Sequence, residues 1–175
     1  MWNMDDKQKK EKQEFIIEEY NYLAYTYDNA WEEYLRSTHT KAMKLLNPQK
    51  NESILDISGG TGLLSKHVAE KAKSVLLLEP SENMLAIARR RLKKTKNVII
   101  KKGTAESLLF KKQTFDKIIS CSAFHYYPHP EKTLQEMRRV LKKGGMLIII
   151  DWCNDPLYFK LFDLYTRYVH KAHIK

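Results

Sequence analysis

The spacing of apolar residues changes near residue 50. Upstream, residues 5–19 predict a charged helix, and residues 28–46 predict a second helix that ends at Asn47 and Pro48. Downstream, short apolar runs alternate with amphipathic segments. The runs predict strands at 53–57, 74–78, 98–100, 115–120 and 146–150, and the segments predict helices at 62–73, 82–94, 130–142 and 156–172. This alternation predicts an α/β fold, in which helices cover both faces of a parallel sheet.

The chain is expected to form one structural domain in three parts. It has 175 residues, and domains commonly contain about 100–200 residues. The parts are N-terminal helices over residues 1–48, an alternating core over 49–155 and a C-terminal helix over 156–175. Gly144 is expected to stop the helix that begins at Pro130.

Composition indicates a globular protein and excludes several classes. Hydrophobic residues make up 43% of the chain and charged residues 30%, unlike a disordered chain. The apolar runs are far shorter than the about 20 residues of a membrane span, and the first twelve residues are too polar for a secretory signal. A cytoplasmic location without a membrane partner is therefore expected. Cys121 and Cys153 have no metal-ligand spacing, so neither a disulfide framework nor a metal site is predicted.

The net charge of +10 raises the question of a nucleic-acid partner. The basic clusters fall in the last turns of predicted helices, where cations complement the helix dipole. They are Lys71 and Lys73; Arg89–Arg91 with Lys93 and Lys94; and Arg138, Arg139, Lys142 and Lys143. Crossover helices end at the sheet edge opposite the ligand crevice. The basic face and the ligand face are therefore expected to differ, which disfavours a nucleic-acid partner.

A glycine-rich turn follows the first predicted strand and opens a helix. Small residues from Ser58 to Gly62 allow the backbone to turn sharply and to approach a ligand closely. A nicotinamide-dependent oxidoreductase is disfavoured, because Asp56 precedes the turn and the G-x-G-x-x-G fingerprint fails at Ser65. Glu79 ends the second strand, where a carboxylate accepts hydrogen bonds from a ribose diol. These residues predict an adenosine site without a strong pyrophosphate site.

Five motifs in order resemble those of class I S-adenosylmethionine-dependent methyltransferases of the Rossmann-like, small-molecule type. They are Leu55–Gly62, Glu79–Leu85, Gly103–Glu106 with Phe110, Phe115–His125 and Met137–Gly145, and they follow Ala24–Asp28, which is similar to the family's N-terminal lid. The resemblance covers roughly residues 20–155. It implies S-adenosyl-L-methionine as methyl donor, S-adenosyl-L-homocysteine as product, no metal, and in-line transfer of a methyl group to a small-molecule acceptor.

The resemblance also implies roles for single residues. Asp56 would lie near the methionine ammonium; the alternative is that it only braces the glycine turn. Glu79 would hold the ribose hydroxyls; the alternative is that it is a solvent-exposed residue that caps a helix. His125, which follows the fourth strand, is the candidate catalytic base. The other residues implied in cofactor binding are Ser58, Gly59, Gly60, Gly62, Pro80, Met84, Thr104, Ala105, Glu106, Ser120 and Cys121. Those implied in the lid or the acceptor pocket, if they do not merely pack between helices, are Tyr20, Tyr25, Tyr27 and Tyr126, with Tyr127 and His129 beside them.

Two features depart from the family pattern. Ser58 stands where the family has glycine, and serine suits the turn if the position needs no positive φ. The sheet is also expected to lack the family's C-terminal antiparallel hairpin, so that the apolar strand 146–150 becomes an unpaired edge. Self-association through residues 146–170 is expected to cover that edge. A truncated, non-catalytic S-adenosylmethionine-binding or assembly protein is the alternative function, followed by a nucleic-acid methyltransferase.

Overall fold

The computed structural model describes residues 5–151. Its elements are α1 (Asp6–Ala30), α2 (Glu32–Leu46), β1 (Ser53–Ile57), α3 (Leu63–Ala69), β2 (Ser74–Glu79), α4 (Glu82–Arg91), β3 (Val98–Lys102), β4 (Phe115–Cys121), a 3₁₀ turn (Phe124–Tyr126), α5 (Pro130–Val140) and β5 (Leu141–Ile150). The strands form one parallel sheet in the order β3-β2-β1-β4-β5. The prediction of a doubly wound, Rossmann-like sheet is confirmed. The helix predicted over 156–172, and most of the segment expected to self-associate, lie outside the described residues.

The core lies in two layers, one on each face of the sheet. Ile54, Leu55 and Ile57 of β1 are fully buried, as expected of a central parallel strand that is covered on both faces. Ile54 packs with Val68 of α3 on one face. Leu55 and Ile57 pack with Met137 of α5 on the other face.

α1 is longer than the sequence pattern predicts. Asp5 and Gln8 cap its start reciprocally, and no Gly or Pro occurs from there to residue 47. The helix therefore continues to Ala30, and the boundaries predicted at residues 19 and 28 are wrong. The chain leaves helical geometry at Trp31 (φ −116°, ψ 20°), and α2 begins at Glu32.

α5 ends earlier than predicted, and β5 begins earlier. The helix ends at Val140 and the strand begins at Leu141, so the prediction of a helix to residue 142 with Gly144 as its stop is wrong. Gly144 has a φ of 75° inside β5, in a segment where the pairing with β4 is irregular. Lys142 in the same segment forms an ion pair with Asp116 of β4 (2.8 Å). That pairing holds these residues against the sheet instead of in a helix.

The order of the strands places the ligand crevice. β2 and β3 lie on one side of β1, whereas β4 and β5 lie on the other side. In parallel sheets, ligands bind outside the carboxyl ends of the strands at such a reversal. α1 packs against α4 and lies across this edge of the sheet.

Candidate functional site

The turn between β1 and α3 brings its backbone close to the neighbouring strand. A Cβ atom on Gly59 would lie 2.7 Å from Leu77 of β2, so only glycine fits there. Gly62 has a φ of 78°, a conformation that favours glycine. Ser58 also has a positive φ, of 57°. The condition under which serine suits this turn without strain is therefore not met, and the surroundings of Ser58 must hold it in the left-handed conformation.

Glu79 lies at the carboxyl end of β2 and is only 5% exposed. Its two carboxylate oxygens accept hydrogen bonds from the backbone N–H groups of Gly60 (3.0 Å) and Ser81 (2.9 Å). Burial outweighs these hydrogen bonds and raises the pKa of Glu79 to about 7. Glu79 is therefore not a solvent-exposed capping residue. It ties the glycine turn to the end of β2.

Asp56 lies at the carboxyl end of β1 and is 2% exposed. Its Oδ2 accepts a hydrogen bond from the Ser65 hydroxyl of α3 (2.6 Å). Burial raises the pKa of Asp56 to about 6 against the opposing effect of this hydrogen bond. A cation near this carboxyl would offset the cost of burying its charge.

A cavity of about 700 Å³, measured out to its open mouth, lies at this edge of the sheet. Its lining residues are Gln13, Ile16, Ile17, Tyr20, Tyr27, Ser58, Gly60, Glu79, Pro80, Met84, Thr104, Ala105, Glu106, Cys121, Ser122, Ala123, Tyr126 and Tyr127. We call it the larger cavity. It brings together most of the residues that the sequence predicts for the site.

Glu106 has an unsatisfied oxygen at the larger cavity. Its Oε2 accepts a hydrogen bond from the Gln13 side chain (3.2 Å). Its Oε1 is buried and has no hydrogen-bond partner within the described part of the chain. A buried acceptor in this state is costly unless a ligand supplies a donor.

A second cavity of about 430 Å³ adjoins the first. Its lining residues are Tyr27, Asp28, Leu35, His39, Asp56, Ser58, Gly59, Gly60, Thr61, Leu63, Leu64, Cys121 and Ser122. We call it the smaller cavity. The two cavities share Tyr27, Ser58, Gly60, Cys121 and Ser122. Glu79 and Asp56 therefore serve neighbouring compartments of one site.

Five predicted site residues line neither cavity, as residues 5–151 form them: His129, at the start of α5, and four others. Gly62 begins α3, and Ser120 is fully buried with its hydroxyl 3.0 Å from that of Tyr127. Tyr25 is 66% exposed on α1. His125 lies in the 3₁₀ turn, with its Nδ1 2.6 Å from Asp151 Oδ1.

Three tyrosines form an aromatic wall of the larger cavity. The ring centre of Tyr20 lies 5.8 Å from that of Tyr27 and 5.7 Å from that of Tyr126. Burial raises the pKa of all three phenols, that of Tyr126 to about 12. Because these phenols stay neutral at physiological pH, they offer hydrogen-bond donors and aromatic faces.

The carboxyl end of α1 is fastened to the glycine turn. Asp28 accepts a hydrogen bond from the Thr61 hydroxyl (2.7 Å) and forms an ion pair with Arg91. Arg91 also donates to the Thr61 carbonyl (2.7 Å). The expectation that the whole Arg89–Arg91 cluster lies away from the ligand edge is therefore wrong for Arg91, because its long side chain reaches back to the turn.

Two further contacts fasten α1 to later loops. Asn21 accepts a hydrogen bond from the Ser81 hydroxyl (2.7 Å), after β2. Gln13 donates to Glu106, after β3. α1 thus spans the loops that follow three strands and covers the larger cavity.

Sequence analysis missed the inner face of α1. Gln13, Ile16 and Ile17 line the larger cavity, but the helix was predicted to end at residue 19. A signal was present, because residues 13, 16, 17, 20, 24 and 27 follow the i, i+3, i+4 spacing of one helix face. Treating that stripe as continuous would have placed these side chains on the same side as Tyr20 and Tyr27.

Residues 5–151 contain neither a metal-binding cluster nor a membrane-spanning helix. In this range, no three His, Cys, Asp or Glu side chains lie close enough together to hold a metal ion. No helix within the same range is both long and apolar enough to cross a membrane.

Comparisons with known proteins agree with this arrangement. Residues 55–149 match the family described as "Methyltransferase domain". The ubiquinone/menaquinone biosynthesis C-methyltransferase of Wigglesworthia glossinidia brevipalpis is 28% identical over 91% of this chain and 69% of its own length. The demethylmenaquinone methyltransferase of Listeria welshimeri is 36% identical over 74% of this chain and 58% of its own length.

A solved structure shares the fold. The putative methyltransferase from Bacillus halodurans C-125 superposes with a TM-score of 0.66 and 30% identity, over 77% of this chain and 58% of that chain. The chain thus spans between about three fifths and two thirds of the length of these three relatives.

Proposed function

The chain belongs to the methyltransferase domain family, and we propose that it transfers a methyl group from S-adenosylmethionine to a small aromatic acceptor of the quinone class. One observation carries the proposal. Two buried carboxyl groups, those of Asp56 and Glu79, lie at the carboxyl ends of adjacent strands and line adjoining cavities. The rest of the larger cavity wall is mainly aromatic and aliphatic.

The residues of the two cavities fit S-adenosylmethionine. Glu79 would accept hydrogen bonds from the ribose hydroxyls, and Met84 would pack on the adenine. Glu106 Oε1, which is buried without a partner in the described residues, would accept a hydrogen bond from the adenine amino group. Asp56 in the smaller cavity would balance the charge of the methionine ammonium. When bound, this cofactor supplies an electrophilic methyl group on a sulfonium centre.

The acceptor is assigned to the part of the larger cavity that the cofactor would not occupy. Ile16 and Ile17 of α1 lie there with Tyr20 and Tyr126. Among the described lining residues no Lys, Arg or His occurs, so the wall does not suit a phosphate or carboxylate on the acceptor. A flat ring with oxygen substituents fits aromatic faces and phenol donors. The names of the two curated relatives, which refer to quinones, support the same class.

α1 is proposed as the lid of this site. It contributes Ile16, Tyr20 and Tyr27 to the cavity wall and is fastened to the loops after β1, β2 and β3. Covering the site would exclude water and hold the acceptor ring against the donor, which is most of what the protein must do when the cofactor supplies the reactive group.

His125 is the proposed base. Methyl transfer to a hydroquinone carbon or oxygen releases a proton, and the neutral tyrosines with raised pKa values are poor acceptors for it. Asp151 accepts a hydrogen bond from the backbone N–H of His125 (2.8 Å) and lies against its Nδ1, which orients the imidazole. The imidazole packs on the Tyr126 ring, whose centre lies 3.9 Å away, and Tyr126 lines the cavity.

Titration calorimetry and a transfer assay test the function. S-adenosylmethionine and S-adenosylhomocysteine are expected to bind, and NAD is not. A reduced naphthoquinone that lacks the ring methyl group is then incubated with methyl-labelled donor, and NMR of the product shows whether carbon or oxygen carries the label. Binding without transfer to any quinol would contradict the proposed activity and favour the non-catalytic alternative.

Replacing Glu79 tests the assignment of the ribose site. Glu79→Ala is expected to weaken S-adenosylhomocysteine binding by about 1–3 kcal/mol, because the ribose hydroxyls lose their acceptor. Glu82→Ala is the matched control, since this carboxylate three residues away is exposed and binds Lys102 (2.8 Å). Equal affinities of the Glu79→Ala and Glu82→Ala variants for S-adenosylhomocysteine would contradict the assignment of Glu79 to the ribose site.

A further inference from the structure

Two serines at the ends of adjacent strands have left-handed backbone conformations. Ser58, after β1, has a φ of 57°, and Ser122, after β4, has a φ of 56°. β1 and β4 pair in register, with Ile57 opposite Ser120. Ser58 and Ser122 both line both cavities. The strained positions therefore lie at the junction of the two compartments.

A tyrosine hydroxyl contacts the side chain of each serine. The Ser58 Oγ lies 3.1 Å from the Tyr127 hydroxyl, and the Ser122 Oγ lies 2.5 Å from the Tyr34 hydroxyl. The Tyr127 hydroxyl is also 3.0 Å from the Ser120 Oγ. Tyr34 comes from α2, whereas Tyr127 follows the 3₁₀ turn. Two separate elements thus fasten the two serines.

The backbone conformation explains why such contacts are needed. A residue with a Cβ atom adopts a φ near +57° only at an energetic cost, and it keeps that conformation where its surroundings over-determine it. Asn47 and Gln113 also have a positive φ. Asn47 ends α2, and asparagine takes this conformation readily, whereas the backbone N–H of Gln113 donates to the Arg139 carbonyl (3.0 Å). Serine has no such preference. A hydrogen bond between the serine hydroxyl and a fixed tyrosine stabilises the left-handed conformation, which glycine would adopt without such help.

We infer that Tyr127 and Tyr34 are positioning residues, which hold Ser58 and Ser122 in the left-handed conformation and thereby set the shape of the junction between the two cavities. The inference rests on the proposed function only for the identity of the ligand. Neither tyrosine hydroxyl is required to touch the cofactor or the acceptor. Their effect passes through the two serine backbones.

A double-mutant cycle tests the pair Ser58 and Tyr127. Tyr127→Phe keeps the ring and removes the hydroxyl, and it is expected to weaken S-adenosylhomocysteine binding by about threefold to tenfold, the range of one hydrogen bond. In a Ser58→Gly background the same change is expected to alter affinity by less than about twofold, because glycine adopts the positive φ unaided. Tyr22→Phe, at an 85% exposed position of α1, is the control and should bind like the parent.

A measurement without ligand tests the role of Tyr127 independently of the proposed function. Hydrogen exchange at the Gly59 and Gly60 amides is expected to be faster in Tyr127→Phe than in the parent. In the Ser58→Gly background, adding Tyr127→Phe should not increase the exchange rate further. Tyr34→Phe with Ser122→Gly provides the second cycle. An equal loss of affinity in both backgrounds, or unchanged exchange in Tyr127→Phe, would overturn the inference. Failure of the parent to bind S-adenosylhomocysteine would overturn the proposed function, and the exchange data would still decide the role of Tyr127.

Discussion

Glu79 combines a buried position with a role that needs negative charge. Its pKa is raised to about 7 by burial, so close to half of the carboxyl groups are protonated near neutral pH. Only the ionised form offers both oxygens as acceptors to a ribose diol while it also binds the two backbone N–H groups. Ligand binding should therefore expel a proton from this residue.

The affinity for S-adenosylhomocysteine is expected to depend on pH in one direction. A ligand that binds the ionised form of Glu79 binds more tightly as pH rises through about 7. Lowering the pH from 8 to 6 should weaken binding by up to about tenfold, which is the change in the ionised fraction. Calorimetry across this range measures the effect, and Glu79→Gln should leave only the shallower dependence due to Asp56, whose pKa burial raises to about 6. A parent profile that is flat from pH 6 to 8 would contradict the role of the carboxylate.

His125 is tested by separating turnover from binding. His125→Ala should lower kcat by about 100-fold or more and leave the affinity for S-adenosylhomocysteine close to that of the parent, because no contact with the cofactor is assigned to the imidazole. Exchanging His129, another partly exposed histidine near the 3₁₀ turn, for alanine controls for general effects in this loop. A kcat equal to that of the parent would leave His125 a packing residue on Tyr126.

At the scale of elements, α1 is the segment whose motion would open the site. Its carboxyl end is held by the ion pair between Asp28 and Arg91, two partly buried side chains, and by the Thr61 hydroxyl. Breaking this connection should free the helix from the glycine turn and leave Asp56 and Glu79, the carboxyls proposed to bind the cofactor, in place. We therefore expect the loss of this contact to increase the rate at which the ligand dissociates.

Asp28→Asn is expected to speed dissociation of S-adenosylhomocysteine by about fivefold to tenfold, because it removes the charge of a partly exposed ion pair and leaves a neutral acceptor in its place. Stopped-flow measurements give the dissociation rate directly. Asp6→Asn is the matched control, because Asp6 lies on the same helix with a side chain that is 90% exposed. If Asp28→Asn lowers the melting temperature but leaves the dissociation rate unchanged, α1 is a scaffold and not a lid.

The sheet was predictable from sequence, whereas the end of α1 and the end of α5 were not. β1 was predicted at its observed bounds, because a buried parallel strand leaves a continuous apolar run. The end of α1 was missed, because its tyrosine-rich second half has no breaker and its partners, such as Ser81 and Glu106, are distant in sequence. The start of β5 was missed because residues 141–143 have helical composition, whereas the contact of Lys142 with Asp116 of another strand is not visible in the local pattern.

The same distinction applies to the site. Asp56 and Glu79 were found because they interrupt apolar strand ends, which is visible in a single sequence. The contact of Tyr127 with Ser58 joins residues 69 positions apart, and a local sequence pattern cannot predict it. The positive φ at Ser58 was likewise hidden, since serine at a turn gives no indication of the backbone conformation.

At the scale of the whole molecule, Glu79 and Asp56 make stability depend on pH. A carboxyl whose folded-state pKa is raised contributes stability that is fully present below its ordinary pKa and is lost as pH rises through the folded value. For Glu79 that window runs from about 4.5 to about 7. The ligand-free protein should therefore lose stability across it, even as its affinity for ligand rises.

Chemical denaturation of the parent and of Glu79→Gln measures this contribution. The free energy of unfolding of the parent should fall by about 3 kcal/mol relative to that of the variant as pH rises from 4.5 to 7.5, since one pKa unit corresponds to about 1.4 kcal/mol. Using the difference between the two proteins cancels the titration of other groups, including His39, whose pKa burial lowers to about 4. Parallel pH curves for parent and variant would show that the carboxyl does not titrate in this range.

The spacing of the three contacts of α1 sets the order in which the helix docks while the chain is synthesised. Asp28, Asn21 and Gln13 bind residues that follow them by 33, 60 and 93 positions. Thr61 leaves the ribosome first, and Glu106 last. Loop-closure entropy gives the same order, because extending the loop from 33 to 93 residues costs about 0.9 kcal/mol more. The Asp28 contact at the carboxyl end of the helix therefore has the smallest loop-closure cost of the three, and the Gln13 contact has the largest.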